Sequence, residues 1–91
     1  MMSLLPKTIR ELELLGERIK LARLRRKFTC KQVAERSGIS VLELLEVESG
    51  NPDISLGVYT QVLRTLNLEK DIYNIATNDV LGRKLQDISL L

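Results

Sequence analysis

Thr29 and Gln32 stand three residues apart, and so do Ser40 and Glu43. Each pair can close a reciprocal set of hydrogen bonds at a helix start. The hydroxyl accepts from an orphan backbone N–H, and the amide or carboxylate reaches back to the cap. The first pair lies in a strongly basic stretch. Residues 18–36 carry eight cations (Arg18, Lys20, Arg23, Arg25, Arg26, Lys27, Lys31, Arg36) against one acid, Glu35. From residue 37 to residue 63 there is no Lys or Arg, and Glu43, Glu46, Glu48 and Asp53 supply four acids. Hydroxyls at helix starts beside clustered cations suit the binding of phosphates rather than bond-making. Elsewhere such a charge run often only solvates a helix.

Catalysis has little to draw on. The chain has no histidine, so no His-based triad or general base. Its carboxylates are scattered and its single thiol, Cys30, completes no metal-ligand cluster. The five glycines form no phosphate-cradling loop. No enzyme activity, metal or cofactor is expected. An oxidant-sensing role for Cys30 is weaker than that of a plain, partly buried thiol.

Short helices must position these residues. The two caps lie eleven residues apart, room for about two helical turns and a connection. Gly38 falls where the first helix must stop, and glycine adopts the left-handed conformation cheaply. Ala34 is small where the helices would cross. Val33, Ile39, Leu44 and Val47 are spaced to close one core beneath them. In this register residues 29–50 read as a helix-turn-helix, whose main use is to place its second helix in the DNA major groove.

The whole chain has 91 residues, 44% of them hydrophobic and only three aromatic. That composition, rich in Leu, Glu, Lys and Arg, predicts one all-α domain over residues 1–91. Its core spans about residues 15–68, with a C-terminal helix and tail over 69–91. Pro6 and the spacing of Ile9, Leu12, Leu15, Ile19 and Ala22 predict a first helix over 7–26, with a break near Gly16. Further helices follow over 30–37, 41–48, 56–66 and about 69–76, five in all. In the fourth, Leu56, Tyr59, Leu63 and Leu66 form the inward stripe. Residues 78–91 form a weakly amphipathic tail in which Asp79 and Arg83 are spaced to pair. No apolar run suits a membrane span, residues 1–7 lack a secretory apolar stretch, and the lone cysteine fits a reducing cytoplasm.

From Leu15 to Leu68 the sequence resembles the Xre family, the Cro- and phage-repressor-like DNA-binding domains. The resemblance rests on LGERIKLARLRRKFT, on Ala34-Glu35-Arg36-Ser37-Gly38-Ile39-Ser40, on Val47-Glu48-Ser49-Gly50, and on Asn51-Pro52. It implies an ion pair between Arg23 and Glu48. It places Ser40, Val41, Leu42 and Glu46 toward bases. It places Arg23, Arg25, Arg26, Lys27, Thr29, Cys30, Lys31, Ser49 and Asn51 toward phosphates. The lead-in over residues 4–27, with Asp79, Gly82-Arg83 and Leu85-Gln86-Asp87 in the tail, is similar to HipB-like antitoxins, the small regulators paired with HipA-like kinase toxins. That resemblance implies a homodimeric repressor of its own operon on an inverted-repeat operator. Ile72, Ile75, Val80, Leu81 and Leu85 would serve dimer or toxin contacts.

The chain departs from this pattern in two places. Cys30 stands where the family usually has a phosphate-clamping glutamine, and a thiol is a poor substitute. The second helix of the motif has none of the Arg, Asn or Gln that read guanine and adenine. It leaves thymine-methyl contacts from Val41 and Leu42, a bond from Ser40, and Glu46 toward cytosine. The alternative is a protein-binding adaptor or anti-activator that has lost specific DNA reading, with Val41, Leu42 and Leu45 as an apolar patch.

Overall fold

The computed structural model describes residues 3–90. It is all-helical: α1 (Pro6–Arg25), α2 (Cys30–Ser37), α3 (Val41–Glu48), α4 (Leu56–Thr65), α5 (Lys70–Tyr73) and α6 (Val80–Leu90). α1 packs on α3, α2 on α3 and α4, and α3 on α4. Ile19 and Ala22, Val33 and Ala34, Leu44 and Val47, and Tyr59, Val62, Leu63 and Leu66 fill the space between them. All are aliphatic except Tyr59, as the composition predicts. Ala34 is fully enclosed, and a larger side chain there would hold α2 away from its neighbours.

The first four helices stop by one device. Lys27, Gly38, Gly50 and Asn67 each adopt a left-handed conformation, with φ of 56°, 71°, 77° and 61°. At each stop two backbone N–H groups turn back to the last carbonyls. Ile39 N–H, for example, donates to Ala34 C=O at 3.0 Å and Gly38 N–H to Glu35 C=O at 3.2 Å. This is the Schellman arrangement, which satisfies carbonyls that a helix end would otherwise strand. It lets the eight-residue α2 end sharply enough for α3 to start four residues later.

Several expectations are corrected. α1 runs unbroken through Gly16, because the glycine sits inside the helix and admits a neighbouring backbone rather than breaking the ladder. Leu56 is exposed and does not join the inward stripe, since it opens α4 where the chain has only begun to turn toward the core. The inward residues are Tyr59, Val62, Leu63 and Leu66. Ile9 also lies outside the core, on the part of α1 that precedes its contact with α3. The fifth helix is a single turn rather than residues 69–76. Residues 80–90 form a sixth helix, so the described residues hold six helices rather than the expected five. Asp79 does not pair with Arg83. Its Oδ1 accepts from Gly82 N–H at 2.9 Å and caps α6, while Arg83 Nη2 donates to Thr77 C=O at 2.6 Å.

α6 stands apart from the packed helices. Val80, Leu81, Leu85 and Ile88 are all exposed, although the last three recur at helical spacing. The radius of gyration, 16.1 Å, exceeds the value of about 12 Å for a compact chain of this length, as such a projection requires.

Candidate functional site

The site is built on α2 and α3. Thr29 Oγ1 accepts from Gln32 N–H at 3.1 Å, and Thr29 N–H donates to Gln32 Oε1 at 2.9 Å. Ser40 and Glu43 repeat this at 3.0 and 3.1 Å. Both predicted capping boxes are therefore formed. In each the hydroxyl acts as an acceptor, which leaves its proton free to donate outward. The backbone N–H groups of Cys30 and Lys31 occupy the first two positions of α2, where no intrahelical carbonyl precedes them. Val41 and Leu42 hold the same positions on α3. Such ends favour anions.

Cations flank the start of α2 in the sequence. Arg25, Lys27 and Lys31 are exposed. Arg26 is turned back, its Nη1 donating to Ala22 C=O at 2.8 Å. Arg36 lies over the Phe28 ring, 4.9 Å from its centroid. Cys30 is partly buried against the core. Among the described residues the one ion pair within 4.0 Å is Arg23–Glu48, so the other cations keep their charge uncompensated at short range.

Arg23 and Glu48 form the joint between α1 and the end of α3. Nε donates to Oε2 at 2.7 Å and Nη2 to Oε1 at 3.1 Å, while Nη1 donates to Phe28 C=O at 3.0 Å. The two residues are only 7% and 9% exposed. Hydrogen bonding to Glu48 holds the guanidinium above its ordinary range, outweighing burial. With both groups enclosed and paired, Arg23 acts here as a structural tie and presents little to a phosphate.

A second network ties α3 to α4. Asn51 Nδ2 donates to Glu46 Oε2 at 2.6 Å, Asp53 N–H donates to Asn51 Oδ1 at 2.8 Å, and Tyr59 O–H donates to Asn51 C=O at 2.9 Å. Ser49 Oγ donates to Glu46 C=O at 2.8 Å, and the N–H groups of Ser49 and Asn51 return to Leu45 and Glu46. The geometry thus separates the expected phosphate contacts. Thr29, Cys30 and Lys31 gather at an open helix start, whereas Ser49 and Asn51 have most of their donors engaged internally. Glu46, expected toward bases, has one carboxylate oxygen held by Asn51.

Burial, and then the charge of Glu46, raise the Tyr59 phenol above its usual value of 10.0. Folded protein holds this proton more tightly than unfolded chain. The contribution to stability is therefore full below pH of about 10 and falls as the pH rises past it. Tyr59→Phe is expected to flatten this alkaline loss in urea melts across pH. It should also lower neutral-pH stability by about 1 kcal/mol for the missing bond to Asn51. An identical alkaline limb in the variant would show that another group titrates.

The outer surface of α3 is apolar. Val41, Leu42 and Leu45 are 41%, 68% and 49% exposed. Leu21 and Leu24 of α1 are exposed beside Glu48 and Ser49, across a shallow cleft. Sequence reading missed these two leucines as surface residues. The signal was their position off the Leu12, Leu15, Ile19 stripe. No family model, curated protein or solved structure matches this chain.

Proposed function

We propose that this chain is a DNA-binding regulator of the helix-turn-helix, Xre-like type, and that it represses transcription as a homodimer. The observation that carries this reading is the α2–α3 pair. Two eight-residue helices, each started by a hydroxyl cap and joined through a left-handed glycine, sit beside uncompensated cations. The start of α2 offers two backbone N–H groups, the Thr29 hydroxyl and the Lys31 ammonium to one phosphate, while α3 lies open for the major groove. Phosphate contacts would supply most of the affinity, and DNA shape part of the selectivity.

An antitoxin acting on its own operon, with a HipA-like kinase as partner, is the physiological role we infer from the resemblance in residues 4–27 and in the tail. The exposure of Ile75, Val80, Leu81 and Leu85 supports their use in dimer or toxin contacts, whereas Ile72 packs partly against the core. A cytoplasmic location accords with this role, and no described helix is long and apolar enough to cross a membrane.

Lys31→Ala tests the DNA reading. It should weaken binding to every duplex alike and reduce the slope of log affinity against log salt by about one. An unchanged slope would remove Lys31 from the interface. The second reading, a protein-binding adaptor, is favoured by one observation: the exposed Val41, Leu42 and Leu45. It predicts no preference among duplexes, with any binding that remains falling steeply with salt.

A further inference from the structure

We infer that α3 distinguishes DNA sequences through the 5-methyl groups of pyrimidines, reading thymine and, equally, 5-methylcytosine. This rests on the DNA-binding reading above and goes further by naming what is recognised.

The inference follows by accounting for every polar group on the helix. α3 has no Arg, Lys, Asn or Gln, so no side chain within it donates to guanine O6 and N7 or to adenine N7. Its two outer carboxylates are each anchored through one oxygen, which limits where the other can reach. Glu43 Oε1 accepts from Ser40 N–H, and Glu46 Oε2 accepts from Asn51 at the far end of the helix. Swinging either carboxylate toward a cytosine or adenine amino group would give up a cap or the tie to α4. It would also bring negative charge toward phosphates. Glu48 is buried under Arg23.

What faces outward is Val41, Leu42 and, one turn along, Leu45. Residues three and four apart share a helix face, so these three form one patch. In the major groove the apolar feature of a base pair is the thymine methyl. A methyl at the same carbon of cytosine presents the same surface. Ser40 adds one hydroxyl, which can donate or accept and so selects weakly.

The test is selection of the full chain on a random-core duplex library, at low and at physiological salt, followed by resynthesis of the enriched duplex. We expect thymines in the enriched core. Replacing each contacted thymine by deoxyuridine, which removes only the methyl, should weaken binding about fourfold. Replacing that thymine–adenine pair by 5-methylcytosine–guanine should bind better than cytosine–guanine. Leu42→Asn should abolish the thymine–deoxyuridine difference with unchanged melting. An enriched core indifferent to deoxyuridine overturns the inference and leaves the DNA-binding reading standing. Salt-dependent retention of the library without enrichment overturns the inference together with sequence-specific reading, and leaves only electrostatic binding. Retention of no duplex at either salt overturns both the inference and the DNA-binding reading.

Discussion

Glu48→Ala is expected to destabilise the fold by about 3–5 kcal/mol, because it strands a buried guanidinium. Removing the carboxylate deletes both bonds from Arg23 Nε and Nη2 and leaves only Phe28 C=O as a partner. Domains of this size have about 5–15 kcal/mol in total, so a large share of the margin is at stake. At about 4–8 °C per kcal/mol the melting temperature should fall by tens of degrees. The double variant Arg23→Met, Glu48→Leu separates loss of attraction from the stranding of charge. An apolar pair of similar volume is often neutral, so the double variant should recover most of the loss. It should stop short by about 1 kcal/mol, for the unpaired Phe28 carbonyl. Thermal melts that place Glu48→Ala within a few degrees of the parent would show that the pair opens to water in solution.

Gly50→Ala is expected to be nearly as damaging, for a different reason. A Cβ on Gly50 would press on the Leu12 carbonyl and lie 2.6 Å from Glu13 N, both backbone atoms that cannot rotate away. Gly16 faces it from within α1, and a Cβ there would lie 2.5 Å from Gly50 N. The two glycines let the end of α3 seat directly on α1, which sets the direction of the helix proposed to meet DNA. Left-handed strain contributes about 1–2 kcal/mol and overpacking about 1–3 kcal/mol. Gly38→Ala is the control. Its φ of 71° carries the same backbone strain, but a Cβ there has nothing within 4 Å. Urea melts should place Gly38→Ala about 1–2 kcal/mol below the parent and Gly50→Ala further down. Equal losses would mean that α1 and the α3 terminus separate easily.

The features legible in the sequence are those set within one turn of chain. Thr29 with Gln32, Ser40 with Glu43, and Gly38 are local devices, and all three form as the spacing predicts. The bounds of α2 and α3 follow from them. Features that depend on how the chain returns were not legible. The Glu46–Asn51–Tyr59 network exists only because the chain reverses after Gly50 and brings the loop under α4. That reversal withdraws Ser49 and Asn51 from their expected outward role. The left-handed turn at Lys27 has no glycine to announce it. Asp79 lies four residues from Arg83 but three from Gly82, and it caps the backbone N–H of Gly82 in the first turn of α6, which has no helical carbonyl before it. Leu21 and Leu24, off the Leu12, Leu15, Ile19 stripe, lie exposed on α1.

The most direct test of the proposed function is fluorescence anisotropy with duplex DNA from immediately upstream of this gene, beside a scrambled duplex, at physiological and low salt. Binding to the native duplex about three orders of magnitude tighter than to the scrambled one is the expected result. Equal affinity for both duplexes, falling steeply with salt, would leave only the electrostatics of the basic stretch and contradict a sequence-specific regulator.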